Sequence, residues 1–192
     1  MKNNYLGQAW LVVVLALVFG AALAGVQAQL SGKIADNKRN DTLGQVPQLV
    51  NGAARGQAVT LGDRTVYQAL DAQDQLVGWV LPAGGPGFAD RIEVLVGLNA
   101  DATRITGLYV LDQKETPGLG NKITEPPWRA QFQGLDATRT IGVTKTPPAG
   151  DNQVVAVTGA TISSQSVAGI VNQNVQWLRA QLARERKGSS RP

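Results

Sequence analysis

The stretch "RIEVLVGLNADATRITGLYVLD", Arg91 to Asp112, carries two apolar runs on either side of a polar turn. Ile92–Leu98 and Ile105–Leu111 are rich in β-branched residues and read as strands, with Asn99–Thr103 turning one back on the other. Upstream, "VTLGDRTVYQALDAQDQLVGWVLP" gives a second pair, about Thr65–Leu70 and Leu76–Leu81, with "DAQDQ" as the turn. Strands in hairpin succession predict an antiparallel sheet. "AGGPGFAD", between the two pairs, reads as a loop.

Downstream the pattern changes. Proline and glycine interrupt "KETPGLGNKITEPPWRAQFQGL", within which "WRAQF" predicts a short helix. "TIGVTK" reads as a strand, "TPPAGDNQ" as a loop and "VVAVTG" as a short buried strand. After it, Val167, Ile170, Val171, Val175, Leu178 and Leu182 recur at helical spacing. There is no internal repeat.

Ahead of the sheet, Ala9 to Val26 ("AWLVVVLALVFGAALAGV") contains no charge and reaches the length of a membrane span. No polar face runs along it, which argues against a core helix of a soluble protein. Lys2 and "VQA" at Val26–Ala28 also fit a signal peptide cut after Ala28. The apolar run exceeds the usual signal core, so an uncleaved anchor is the expectation. Leu30 to Asn51 is polar and mixed, a connecting helix or stalk. Lys33, Lys38 and Arg39 after the span, against Lys2 before it, lean towards a cytoplasmic domain by the basic-residue count.

Composition removes many chemistries. The 192 residues contain no Cys and no His. Disulfides, iron–sulfur ligation and c-type haem attachment are excluded, as are Ser-His-Asp and Cys-His catalysis, and no metal ligand set is expected. A hydrolase using Ser163 or Ser164 lacks a base. The net charge of +4 sits mostly in the tail from Arg179 to Arg191, without interleaved aromatics, so no nucleic-acid partner is expected. Redox work in this chain requires an organic cofactor.

Two motifs stand out. "VTGATISS", Val157 to Ser164, clusters hydroxyls around Gly159 and Ala160 where a strand passes into a helix. One reading is a cap, with Thr161, Ser163 or Ser164 accepting a backbone N–H of the first turn. The other is a phosphate site, since a helix start presents unpaired N–H groups and a positive dipole end. "KETPGLGNKI", Lys114 to Ile123, has the proline and spaced glycines of a fixed open loop that backbone can bring close to a flat ligand. Glu115 and Lys122 are candidates to bond that ligand's polar edge; a plain surface turn is the alternative. "GGPGFAD" is no dinucleotide fingerprint, because it precedes a strand and lacks the third glycine.

Taken in order from about Gly78 to Val175, "GGPGF", "IEVLVGLNAD", "ITGLYVLDQKETPGLGNKI", "EPPWRAQFQG" and "VTGATISSQSV" resemble the FMN-binding domain of the Rnf electron-transport complex G subunit. The C subunit of the sodium-pumping NADH:quinone reductase carries the same domain. The resemblance implies an α+β fold: an N-terminal membrane helix, then one FMN-binding domain with a largely antiparallel sheet and packed helices. The expected organisation is a transmembrane anchor over 1–28, a connecting helix or stalk over 29–50, the FMN-binding domain over 51–187 and a flexible tail over 188–192.

By the same resemblance FMN is joined through its phosphate to the last threonine of the Thr-Gly-Ala-Thr motif, here Thr161, by a separate flavin transferase. Thr158, Gly159, Ala160, Ile162 and Ser163 would surround the phosphate, and Glu115, Thr116, Pro117, Gly118, Leu119 and Gly120 would lie near the isoalloxazine. Family members usually carry Asp three residues before the first Ser/Thr of the motif. Val155 stands there in this chain, and the nearest upstream acid is Asp151. The implied role is an electron-relay subunit of an ion-translocating oxidoreductase, not catalytic alone. Its partners would be the other membrane subunits of an Rnf-type complex. The flavin domain would lie on the extracytoplasmic (periplasmic) side of a bacterial or archaeal cytoplasmic membrane, opposite to the basic-residue count. Two alternatives remain from the residues: a stand-alone membrane-tethered flavoprotein carrier, and a non-redox protein whose turn only caps a helix.

Overall fold

The computed structural model describes residues 5–146 and 151–189. The chain forms two compact units, residues 1–41 and 42–192, and a helix α1, Tyr5–Leu49, spans the division. In the first unit the apolar side chains from Trp10 to Ile34 are exposed. The helix is long and apolar enough to cross a membrane.

The stretch expected as a stalk is helical to Leu49, and its last turns belong to the second unit. Val46, Leu49 and Val50 are buried there against Tyr67, Ala69, Val80 and Leu95. Pro47 removes one helical N–H donor, and the helix stops two residues later.

Five strands follow: β1 Arg55–Leu61, β2 Arg64–Leu70, β3 Leu76–Pro86, β4 Arg91–Asn99 and β5 Ile105–Asp112. They form an antiparallel meander in the order β1-β2-β3-β4-β5. The hairpins expected from the sequence are present. β1 was not foreseen, and β3 runs on through Ala83–Pro86, where "AGGPGFAD" reads as a loop. Those glycines pair with β4 in register, Gly84 with Glu93 and Gly85 with Ile92. Gly85 is needed because a Cβ there would lie 2.8 Å from Ile170 of the covering helix.

The unbroken apolar run of β4 reflects burial on both faces. Ile92, Val94, Val96 and Leu98 enter the main core with Trp79, Leu81 and the last helix. Leu95, on the other face, meets the end of α1. That end sits on a floor of two glycines, Gly97 and Gly107, which are paired across β4 and β5. A Cβ on Gly107 would come within 3.1 Å of Leu49, and one on Gly97 within 2.7 Å of Thr106 Oγ1. Thr106 Oγ1 donates to the Leu49 carbonyl at 2.6 Å.

After β5 come a 3₁₀ turn, Gly120–Thr124, and the short helix α2, Pro126–Ala130, where "WRAQF" predicts one. β6, Gly142–Thr144, pairs in parallel with β7, Gln153–Val155. Residues 147–150 of the "TPPAGDNQ" loop lie outside the described residues. Asn152, buried with φ +67°, holds the segment from Asp136 to Thr140 that leads into β6: its Oδ1 accepts from Asp136 N–H at 2.7 Å, and its Nδ2 faces the carbonyls of Asp136, Arg139 and Thr140. The chain ends in helix α3, Thr161–Ser189. Its predicted apolar face packs on the sheet, with Val167, Ile170, Val171, Val175 and Leu178 buried. The remainder of the tail expected over 188–192 lies outside the described residues.

Candidate functional site

The two motifs meet, and each is built on the same kind of turn. In the first, Leu119 N–H bonds the Thr116 carbonyl at 3.2 Å, with Pro117 second and Gly118 third at φ +77°. In the second, Ala160 N–H bonds the Val157 carbonyl at 2.9 Å, with Gly159 third at φ +80°. A positive φ at the third position is the mark of a type II turn and selects glycine. The turns face one another: a Cβ on Gly159 would lie 2.9 Å from Leu119 Cδ2.

Between them is a cavity of about 350 Å³. Its lining comes from three segments: Phe88 from the β3–β4 connection; Thr116, Leu119 and Gly120; and Gly159 to Ser163. Phe88, Leu119 and Ile162 are exposed large apolar side chains. Of the residues expected here, Thr116, Leu119, Gly120, Gly159, Ala160, Thr161, Ile162 and Ser163 line the cavity. Glu115, Pro117, Gly118, Lys122 and Thr158 do not.

Glu115 corrects an expectation. It does not present its carboxylate to a ligand edge but is buried and turned into the protein. Its Oε1 accepts from the N–H groups of Phe88 at 3.0 Å and Ala89 at 3.1 Å. Its Oε2 accepts from Ser163 Oγ at 2.6 Å. Lys114, beside it in sequence, reaches outward to Asp90 Oδ2 at 3.4 Å. The Asp90 carboxyl is held below its usual value by the Arg91 N–H and then by the Lys114 ammonium.

The capping expectation also needs correction. Ala160 precedes α3 and accepts the Ser164 N–H at 3.1 Å, so the cap position carries no side-chain acceptor. Ser164 Oγ accepts from Val157 N–H at 3.0 Å, before the helix, and donates to the Ala160 carbonyl at 3.0 Å. Ser163 is committed to Glu115. Among the described residues no side chain accepts from the N–H groups of Thr161, Ile162 or Ser163, and Thr161, itself half-buried, lines the cavity. Unsatisfied donors at a helix start, beside a threonine that lines a cavity with an apolar rim, fit a phosphate attached to a flat apolar body.

Phe88 is the residue that the sequence reading missed. A lone aromatic in a glycine-rich stretch was the available signal.

Residues 87–176 match the FMN-binding domain family. The chain is 37% identical over 115 residues to the G subunit of the ion-translocating oxidoreductase complex of Methanosarcina acetivorans, covering 60% of this chain and 58% of that protein. It is 38% identical over 104 residues to the G subunit of the Na(+)-translocating ferredoxin:NAD(+) oxidoreductase complex of Acetobacterium woodii, covering 53% of this chain and 49% of that protein. The chain thus spans about half the length of the curated relatives it matches. The crystal structure of Shewanella oneidensis NqrC has the same fold, with a TM-score of 0.53 and 23% identity over 63% of this chain and 64% of that one.

Proposed function

We propose, starting from the FMN-binding domain at residues 87–176 of a chain that resembles G subunits, that this protein is the electron-relay subunit of a membrane-bound, Rnf-type ion-translocating oxidoreductase. FMN is the cofactor and supplies the redox chemistry; the protein supplies position and surroundings. Thr161 is the attachment point, through a phosphoester made by a flavin transferase. The open N–H groups of Thr161, Ile162 and Ser163 hold the phosphate oxygens. Phe88, Leu119 and Ile162 shield the flavin's apolar body from water. Its partners are the other membrane subunits of the complex, which donate and accept the electrons. The apolar part of α1 anchors the chain in the membrane, with the flavin domain on the extracytoplasmic side.

The observation that carries this reading is the first turn of α3. Among the described residues its N–H donors have no side-chain acceptor, and Thr161 beside them lines the cavity. A turn that served only to cap the helix would use its own hydroxyls there.

The test is co-expression of the full chain with a flavin transferase, followed by a denaturing gel viewed under ultraviolet light. The wild type is expected to give a fluorescent band and Thr161→Ala none. A dark wild-type band from yellow protein would overturn covalent attachment but keep FMN. A dark band from colourless protein would overturn the flavin reading itself.

A further inference from the structure

Among the described residues, Glu115 is the one charged side chain taken fully into the fold, at 4% exposure. Its three hydrogen-bond donors are neutral: two backbone N–H groups and one hydroxyl. The donors belong to separate segments, 27 and 48 residues from Glu115 for Phe88 and Ser163. Each segment supplies a wall of the cavity. Phe88 comes from one, Ser163 and its neighbours from another, and Thr116, Leu119 and Gly120 from the loop of Glu115 itself.

The space around this carboxylate is closed to other side chains. A Cβ on Gly120 would lie 2.8 Å from Glu115 Cβ and 2.9 Å from Ser163 Oγ. A Cβ on Gly87 would lie 2.5 Å from the Asp90 carbonyl and 2.8 Å from Ile92 Cδ1, with Glu115 Oε1 nearer still. Glycine at both positions lets the three segments close on one carboxylate.

We infer that Glu115 is a positioning residue of the flavin site: it clamps the cavity's three walls together, and its carboxylate, one hydrogen bond behind Ser163, holds the reduction potential of the bound flavin down. The inference rests on FMN occupying this cavity. Neutral dipoles stabilise the carboxylate without cancelling its charge, as an ion pair with a cation would. Away from bulk water that charge acts strongly over a short distance. A flavin that gains an electron in the cavity gains it against this field.

Glu115→Gln and Glu115→Ala separate the two roles. The glutamine amide keeps the shape: its oxygen accepts from Phe88 and Ala89, and its NH₂ donates to a rotated Ser163 hydroxyl. Full-length protein matured with a flavin transferase is titrated spectroelectrochemically, and its melting is followed with and without flavin. Glu115→Gln is expected to melt close to wild type but to show a raised flavin midpoint potential. Glu115→Ala is expected to melt lower even without flavin and to hold the flavin more loosely, read as reduced fluorescence anisotropy. A Glu115→Gln potential equal to wild type would overturn the electrostatic role. Wild-type melting of Glu115→Ala would overturn the clamp. Failure of the wild type to take up FMN would sink the flavin reading and the tuning with it, while the flavin-free melting still decides the clamp.

Discussion

Trp128 Nε1 donates to the carbonyl of Val155 at 2.9 Å, and Gln131 Oε1 accepts the N–H of the same residue at 2.7 Å. Both polar backbone groups of Val155 are therefore fixed by one short segment, while its side chain is half-buried. The strand end that leads into the Thr-Gly-Ala-Thr turn is set by these backbone bonds, whatever side chain occupies the position.

Val155→Asp is accordingly expected to leave the turn in place and to raise the share of chain that carries covalent flavin. In-gel flavin fluorescence per unit of protein, after co-expression with a transferase, measures this. The stability cost should be on the order of 1 kcal/mol. Equal labelling of both forms would show that the transferase reads other residues.

The glycine floor under Leu49 gives a second prediction. Gly97→Ala forces a methyl between Leu49 and Thr106, and overpacking of this kind costs about 1–3 kcal/mol. Thr106→Val leaves the Leu49 carbonyl without its donor, at a cost of about 1–3 kcal/mol. Urea unfolding of the detergent-solubilised chain, followed by tryptophan fluorescence, reads both. A Gly97→Ala protein as stable as wild type would mean that the end of α1 is not seated there.

Asp90 predicts an acid dependence of the loop that carries Phe88. The Arg91 N–H, bonded to Asp90 Oδ1 at 2.7 Å, favours the charged carboxyl, and the Lys114 ammonium adds to it. The folded pKa lies below the unfolded one, so the contribution is complete above the unfolded value of an ordinary Asp. It is lost as pH falls through the folded value. Melting temperatures of wild type and Asp90→Asn should differ by a constant amount at neutral pH and converge in acid. A difference that persists unchanged into acid would remove Asp90 from the account.

What the sequence made legible follows from where burial is two-sided or periodic. β4 and β5 declared themselves because both faces of Val94–Val96 are covered and Asn99 closes the turn, its Oδ1 accepting from Thr103 and Arg104. α3 was readable from one apolar stripe. β1 was not, because it lies at the sheet edge and only Leu61 in it is buried. The continuation of β3 through Gly84, Gly85 and Pro86 was hidden by residues that usually mark loops, and at Gly85 the glycine answers to the close approach of Ile170. The two turns of the site were legible as motifs. The inward aim of Glu115 was not, because all its carboxylate bonds reach across the fold.

The seating of Leu49 and Val50 also bears on shedding. The last helical piece of the core lies C-terminal to Asp41, so a protease cutting anywhere between Ala28 and Asp41 would release a domain with every buried residue of that core still attached. A cut at Asn51 would instead strip Val46, Leu49 and Val50 from the sheet and expose Leu95 and Val80 to water. Helix α1 therefore tolerates cleavage on one side of Thr42 and not on the other. A form that began between Ala28 and Thr42 would keep the cavity between the two turns intact.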